Sequence, residues 1–423
     1  MFADFAAFYP LLRLLTVFAL MLLGVRLHLG LGLSVLVGSL VLALWCGMSP
    51  VQWAMASAGI FGDAATVLVW CVLSLILALS SLMENTGQAE RFMSAFALHI
   101  TSPKARLVFF PVLIGLLPMP GGAVFSAPLI QAVARGLPIP ELDKSLINYW
   151  FRHCAEVSWP LFPAIILAAG MGGISTPQLM LYTCPLTVVF FGVGWFCLVR
   201  GLAFPLTADP PHTDPQASWA TVLYQGLPIF LALGGALALE GGIALFLPGV
   251  AVDYGVPLAL IGGIAACLRQ NRLNAMELIR VVFQRHVLSM IFMVGALGVF
   301  KIILEKSGMV EALMHMGSAD MAMVLAAVIL PGLVGLVTGL LMACVGIAMP
   351  LLMALVPAGE AVLPWMALAL SSGFTGAMIS PLHICFVLSC EYFKVDLAVS
   401  WRRVPAPALM FGLSGVAYFF LMK

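Results

Sequence analysis

The sequence predicts an all-α integral membrane protein built from two inverted repeats. Apolar residues make up 63% of the chain, charged residues make up 9%, and the mean hydropathy is +1.12. Because an ordinary soluble domain carries roughly 25% charged residues, this chain has too few to cover a water-exposed surface. Sequence signatures of the first half also recur, in the same order, in the second half. Repeated halves in a membrane chain are typical of secondary transporters whose site lies between them.

Four pairs of segments carry the repeat. Residues 82–90, 111–115, 122–128 and 158–160 are matched in turn by residues 303–311, 331–335, 344–350 and 379–381. The spacing between partners is nearly constant, so the two halves are predicted to share one architecture.

The spans follow from apolar length, because a helix needs about 20 apolar residues to cross the hydrocarbon core. We predict spans at about 10–25, 27–47, 64–83, 145–170, 177–199, 223–247, 253–268, 286–304, 363–392 and 403–422. Apolar stretches at about 105–135 and 320–356 are interrupted at residues 117–122 and 338–343. Each flank is too short to cross alone. Both stretches are therefore predicted to be re-entrant hairpins, packed against protein or a cavity.

Positive charges give the orientation. If the N-terminus is outside, the inner segments hold Arg26, Arg91, Lys104, Arg106, Arg135, Lys144, Arg200, Arg269, Arg272, Arg280, Arg285, Lys394, Arg402 and Arg403. This satisfies the positive-inside rule for a bacterial or archaeal cytoplasmic membrane, with both termini outside. Each half has five spans and one hairpin. Because five is odd, the second half starts on the opposite side of the membrane and is inverted relative to the first. The predicted repeats are 1–202 and 219–423, joined by a proline-rich cytoplasmic linker, 203–218. The spans of about 145–170 and 363–392 are predicted to be discontinuous helices at the midplane.

Several function classes are excluded by what the sequence lacks. No GxxxxGK[ST] nucleotide-binding loop is present, so direct drive by ATP is not expected. A net charge of +1 predicts no nucleic-acid partner. The nine cysteines show no CxxC or Cys/His ligand spacing, and they are interpreted as small buried apolar residues rather than metal ligands. We expect no enzyme activity, no cofactor and no structural metal.

The two hairpin tips are the first candidate binding positions. Gly121 and Gly122 allow the backbone to approach a ligand, and the half-helix that follows directs N–H groups into the protein and adds the hydroxyl of Ser126. The second tip offers Thr338 and free backbone. The structural alternatives are a Pro/Gly kink at the first tip and a packing glycine pair at the second.

The segment 148–160 is the most polar predicted span. Asn148 and Arg152 are candidate substrate ligands, because a guanidinium grips a carboxylate or phosphate with two hydrogen bonds. His153 and Glu156 are candidate carriers of a coupling proton. Arg152 and Glu156 are spaced i, i+4, which places them on one face if the helix continues. The alternative is a purely structural salt bridge between them.

The segment 371–383 is the symmetry mate of that span. Its glycines, hydroxyls and Pro381 predict unwinding in mid-span, and freed carbonyls with Ser/Thr oxygens are ligands for Na⁺. We expect a Na⁺ or substrate site near Ser158, Thr375 and Ser380. His383 is a candidate for proton coupling, with a structural histidine as the alternative.

The repeated hairpin and broken span resemble the ion transporter superfamily, which includes divalent-anion/sodium symporters and citrate and lactate permeases. Residues 121–128 and 343–350 match its hairpin tip and half-helix, and residues 158–160 and 379–382 match its proline-flanked break. Within that group the chain is most similar to the membrane family labelled domain of unknown function 401. The resemblance implies elevator-like movement against a homodimeric scaffold.

We therefore predict a secondary active transporter of a small organic anion of the carboxylate type, coupled to H⁺ or Na⁺. Its expected partners are membrane lipid, the anionic substrate and a second copy of the chain. One alternative is a Na⁺/H⁺ or other ion antiporter. A second alternative is a lipid-phosphate flippase or a non-transporting membrane scaffold.

Overall fold

The structure is a computed structural model that describes residues 2–62, 64–97, 99–100, 102–116, 122–134, 137–202, 218–246, 254–309, 320–356 and 360–423. Within these ranges the chain is helical and contains no β-strand. Six described segments are long and apolar enough to cross a membrane: Thr66–Asn85, Thr176–Val199, Trp219–Glu240, Val287–Lys306, Val362–Tyr392 and Leu397–Met422. The predicted all-helical, membrane-spanning class is confirmed.

The first half contains ten described α-helices. They are α1 (Phe2–Arg26), α2 (Leu31–Trp45), α3 (Pro50–Ala58), α4 (Ala64–Asn85), α5 (Gln88–Ala97), α6 (Pro103–Gly115), α7 (Ala123–Val133), α8 (Glu141–Arg152), α9 (Pro163–Gly172) and α10 (Thr176–Gly194). A π-helical turn, Trp195–Val199, continues α10. Ser49 and Ser175 start α3 and α10, because each serine oxygen accepts a first-turn N–H and a proline follows at the first helical position.

The second half also contains ten α-helices within the described ranges. They are α11 (Trp219–Phe246), α12 (Gly255–Gln270), α13 (Ala275–Val282), α14 (Arg285–Lys306), α15 (Asp320–Thr338), α16 (Leu341–Leu355), α17 (Val362–Ile379), α18 (Ile384–Tyr392), α19 (Leu397–Trp401) and α20 (Pro405–Met422).

The helices pack as two groups. In the first, which we call the framework group (α1–α5 and α11–α14), α2 packs on α1 and α14, and α12 packs on α11 and α4. In the second, the site group (α6–α10 and α15–α20), α6, α7 and α8 pack on one another, and α17 packs on α15, α16 and α20. The groups meet where α4 contacts α9, α14 contacts α16 and α1 contacts α15. Each half of the sequence therefore contributes its earlier helices to the framework group and its later helices to the site group.

The repeated sequence signature forms the same helix end twice. Gly87 follows α4 with φ +66°, and Gly308 follows α14 with φ +69°. Glycine adopts this left-handed conformation without steric cost, so it ends a helix readily. The hydroxyls of Thr86 and Ser307 donate to the carbonyls of Leu82 and Leu304 at 2.7 and 2.9 Å. The matched residues thus have matched local structure.

The predicted interruptions coincide with helix ends. Residues 153–162 separate α8 from α9, residues 380–383 separate α17 from α18, and Gly339 and Leu340 separate α15 from α16. Between α6 and α7, residues 117–121, which include Gly121, lie outside the described ranges. The same holds for residues 203–217 of the predicted linker.

One local expectation differs from the structure. Helix α8 ends at Arg152, so Arg152 and Glu156 are not one turn apart on a helix face. Beyond it the chain forms tight turns, in which the N–H of Glu156 donates to the carbonyl of His153 at 3.2 Å. Downstream, Pro160 lacks an N–H and disfavours helix at the residue before it, and Pro163 starts α9, so the chain does not return to helix until residue 163.

Candidate functional site

Two helix ends and two helix breaks meet around a buried polar cluster in the site group. The C-terminus of α8 lies against the N-terminus of α7, because Gly122 directly precedes α7 and contacts the side chain of Arg152. The break between α17 and α18 lies against the break between α15 and α16, since a Cβ on Gly339 would be 3.0 Å from Cα of His383. His153 and His383 connect the pair of helix ends to the pair of breaks.

Arg152 reaches the start of α7 because Gly122 has no side chain. A Cβ at Gly122 would lie 2.6 Å from Nη2 and 2.7 Å from Nε of Arg152. The arginine is only 4% exposed although it sits in an apolar membrane protein. A second glycine brings the backbones together, since a Cβ on Gly115 of α6 would overlap the carbonyl oxygen of Arg152. Two glycines thus fix where this guanidinium lies.

Asn148, one helical turn before Arg152, connects three helices. It is fully buried, and its Nδ2 donates to the carbonyl of Ala123 and to Oγ of Ser389, both at 2.9 Å. Its Oδ1 accepts from Oγ of Ser126 at 2.5 Å. Asn148 therefore connects α8 to α7 and α18, and the predicted site residues Asn148 and Ser126 are brought together.

His153 and His383 form the centre of the cluster. Their Nε2 atoms are 3.0 Å apart, and the two side chains are 1% and 5% exposed. Nδ1 of His153 lies 2.7 Å from the carbonyl oxygen of Tyr149, and Nδ1 of His383 lies 3.1 Å from that of Ala377. Each carbonyl fixes one ring, and both rings then face each other across the boundary between the two halves.

Glu156 and Cys385 complete the cluster. Oε2 of Glu156 is 3.9 Å from Nε2 of His153, and this buried oxygen has no hydrogen-bond partner among the described residues. Sγ of Cys385 and one ring nitrogen of each histidine all lie within 4.8 Å of one another. Among the described residues, this is where three donor atoms that could hold a metal ion converge.

The remaining predicted site residues face other partners. Oγ of Ser158 is 2.6 Å from Oγ1 of Thr187 in α10, and Oγ1 of Thr375 donates to the carbonyl of Ser371 at 2.7 Å. Oγ1 of Thr338 donates to the carbonyl of Val334 at 2.7 Å, and Oγ of Ser380 accepts from the N–H of Leu382 at 3.3 Å. Helical hydroxyls commonly bond the preceding turn in this way. Ser380 precedes His383 by three residues, and Thr338 precedes Gly339, which packs against His383. Ser158 contacts α10, and Thr375 bonds its own helix α17.

Sequence reasoning missed three residues of the cluster. Tyr149 donates through its hydroxyl to the carbonyl of Met378 at 2.8 Å and packs edge-on against both histidines. Ser389 accepts from Asn148, and Cys385 faces the histidine pair. The sequence could have indicated Cys385 as a second member of the cluster only through its position two residues after His383. Nothing local in the sequence pairs either residue with His153, which lies 230 positions away from His383.

A cavity of about 330 Å³ adjoins the broken segment on its other side. It is lined by Trp159 and Leu161 of the break and by apolar residues of α4, α9, α10 and α11, with Glu240 and Thr176 as its polar members. The lining comes from both helix groups, so the cavity marks their boundary.

Comparison with known proteins identifies a matching family and several solved structures of similar fold. The family described as "Protein of unknown function (DUF401)" matches residues 7–420. The fold is similar to the crystal structure of the YdaH transporter of Alcanivorax borkumensis, which is described as having an unusual topology. The TM-score is 0.63 at 16% identity, and the match covers 88% of this chain and 89% of that one. No curated protein matches the sequence. Since the family match spans nearly the whole chain, this protein belongs to the DUF401 family.

Proposed function

We propose that this protein is a secondary active transporter of a small organic anion of the carboxylate type, driven by H⁺ or Na⁺. The observation that carries the proposal is Arg152, a buried guanidinium placed at the start of α7. An arginine at the bilayer centre costs roughly 2.5–3.5 kcal/mol on insertion scales, so such a residue marks a substrate or ion path. The likeness of the fold to a transporter is consistent with this reading.

The local electrostatics favour an anion. The first N–H groups of α7 have no partner within the helix, the N-terminus is the positive end of the helix dipole, and Gly122 provides no side-chain cap. The guanidinium of Arg152 beside this helix end makes the local electrostatic potential more positive. A carboxylate between Arg152 and the first turn of α7 would be attracted by both, since backbone N–H groups and arginine are the usual partners of bound anions.

We also propose that the two halves are inverted repeats with re-entrant hairpins at α6–α7 and α15–α16. Three observations support this: the matched helix ends at Gly87 and Gly308, the partition of each half between the two helix groups, and a repeated close contact. Gly115 meets the carbonyl of Arg152, and Gly335 meets that of Gly373. In this proposal the site group moves against the framework group, which holds the homodimer together in the cytoplasmic membrane.

The test is uptake by purified protein in proteoliposomes, over a panel of mono- and dicarboxylates, with an imposed Na⁺ or H⁺ gradient. We expect gradient-driven uptake of at least one carboxylate. Arg152→Ala should lower that uptake by at least about tenfold, the loss expected when an ionic hydrogen bond worth about 1.5–3 kcal/mol is removed. Arg152→Lys should retain part of it, because lysine keeps the charge but not the two-pronged geometry.

Arg403→Ala is the matched control, because Arg403 is an exposed arginine in the same helix group. It should transport like the wild type. If Arg152→Ala takes up every active carboxylate as well as the wild type, the anion proposal is wrong. Gradient-dependent Na⁺ or H⁺ flux without any carboxylate would instead support the antiporter, and scrambling of labelled phospholipid would support the flippase.

A further inference from the structure

We propose that His153, His383 and Cys385 form a binding site for a transition-metal ion, of which Zn²⁺ is the representative. The two Nε2 atoms are 3.0 Å apart, and Sγ of Cys385 and one ring nitrogen of each histidine lie within 4.8 Å of one another. The three side chains are 1%, 5% and 4% exposed. Imidazole nitrogen and thiolate sulfur are the donor set that zinc and its neighbours in the first transition row prefer.

The backbone fixes which nitrogen of each ring is available. Carbonyl oxygens accept hydrogen bonds only, so the Nδ1 atoms beside Tyr149 and Ala377 carry the hydrogens and donate. In a neutral imidazole with Nδ1–H, the Nε2 atom presents a lone pair. Two such lone pairs therefore face each other at 3.0 Å. A cation between or beside them would turn this repulsion into coordination.

The orientation of the rings is also that of metal ligands. A histidine that binds a metal through Nε2 usually donates its Nδ1–H to a carboxylate or a backbone carbonyl, which holds the ring in place. Both His153 and His383 already do this, with carbonyls at 2.7 and 3.1 Å. The tyrosine edge against both rings limits their rotation further.

The distances suit a tetrahedral ion after small movements. With metal bonds of about 2.0–2.3 Å, two nitrogen ligands lie about 3.4 Å apart, and nitrogen and sulfur lie about 3.6 Å apart. The observed nitrogen separation is 3.0 Å, so the rings need to open by a few tenths of an ångström. Oε2 of Glu156 lies 3.9 Å from Nε2 of His153 and accepts no hydrogen bond from the part of the chain that the structure describes, so it is placed to become the fourth ligand.

The site would join the two halves of the chain. His153 belongs to the break after α8, whereas His383 and Cys385 belong to the break before α18 and its first turn. Gly339 packs against the backbone of His383, so the end of α15 covers this site. Metal binding should therefore stabilise the contact between the halves, and it should be slow, because the cover must open first.

The experiment uses tag-free protein in detergent, treated with chelator and then titrated with Zn²⁺. We expect one Zn²⁺ per chain by elemental analysis and a higher melting temperature than for the metal-free protein. With Co²⁺, a tetrahedral site containing Cys385 should give strong visible absorption and a sulfur-to-cobalt charge-transfer band. Cys385→Ala should lose that band, and it should weaken Zn²⁺ binding by at least about tenfold.

Cys154→Ala is the matched control, because Cys154 is equally buried and adjacent to His153 but outside the cluster. It should keep the cobalt band and the zinc-induced stabilisation. His383→Ala is compared with its own metal-free form, so a general loss of stability is not mistaken for loss of the site. A wild-type protein that gains neither metal nor stability beyond Cys385→Ala would overturn the proposal and favour a proton shared by the two rings. Binding is measured without transport, so either outcome leaves the anion-transport proposal intact.

Discussion

The two broken helices of the site group differ in where they break and in the charges they carry. In the first half, α8 stops at Arg152 and ten residues of turn and loop, 153–162, precede α9. In the second half, α17 continues to Ile379, and only residues 380–383 separate it from α18. The repeat aligns Arg152 with Gly373, so the first half has a charged side chain where the second has none.

The two halves nevertheless share the contact that holds each break against its neighbouring helix pair. Gly115 of α6 approaches the backbone at Arg152, and Gly335 of α15 approaches the backbone at Gly373. The close packing is therefore common to both halves, whereas a buried charge at this position occurs in the first half only. The packing and the proposed anion binding can be tested separately, because different residues determine them.

The largest effect is expected from filling the shared close contacts. Gly115→Ala and Gly335→Ala would each place a Cβ onto a carbonyl oxygen, which cannot move without shifting a helix. Overpacking of this kind costs about 1–3 kcal/mol or more. Both variants should show clearly lower apparent melting temperatures in detergent, measured by size-exclusion chromatography after heating.

The controls for this pair are Gly192→Ala and Gly262→Ala, helical glycines with open space around them. They should melt at or slightly above the wild-type temperature, since alanine is the better helix former. If one of the two close-contact variants melts like the controls, the two halves do not share this packing.

The next effect concerns Asn148, which has no counterpart of similar connectivity among the described hydrogen bonds of α17. Asn148→Ala would leave the hydroxyls of Ser126 and Ser389 and the carbonyl of Ala123 without this partner. Each buried polar group left unsatisfied costs about 1–3 kcal/mol. Asn148→Ala should lower the melting temperature more than Ser126→Ala, which removes one member only. Equal melting of the two variants would show that Asn148 does not act as the junction.

A smaller effect on stability is expected at Gly122, with a separate effect on ligand binding. A Cβ there would meet the guanidinium of Arg152, the movable end of a flexible side chain. Gly122→Ala should therefore melt within a few degrees of the wild type, corresponding to less than about 1 kcal/mol. Stabilisation by whichever carboxylate is transported should fall, because the arginine is displaced. If the carboxylate stabilises Gly122→Ala as much as the wild type, Arg152 does not bind the anion.

The smallest effect is expected from the ion pair between Arg403 and Asp143, which lies between the two halves at 2.6 Å. The arginine side chain is 46% exposed, and exposed pairs contribute about 0–1 kcal/mol. Arg403→Ala should change the melting temperature little, and the difference should disappear in high salt. A large, salt-independent loss would show that the halves depend on this contact more than on Asn148.

Sequence reasoning captured the helices and their breaks because those signals are local. Apolar length sets a span, and the prolines at 160, 163 and 381 end or start helices wherever the chain folds. The pairing of His153 with His383 could not be found in this way, because the repeat aligns neither residue with the other. The direction of the Ser158 hydroxyl also depends on a distant residue, Thr187 of α10, whereas Thr375, predicted at the same ion site, bonds the carbonyl of Ser371 in its own helix. Their predicted role stays a prediction.

The long sequence separation between Asn148, Tyr149 and His153 and their hydrogen-bond partners also has a consequence for biosynthesis. Tyr149, His153 and Asn148 find their partners 229, 230 and 241 positions later in the chain. At about 5–20 residues per second, a ribosome needs on the order of 10–50 seconds to supply them. During that interval these three side chains lack their partners from the second half, so the final packing of the first half must wait for α17 and α18. Assembly of this core is therefore expected at the end of synthesis rather than stepwise, half by half.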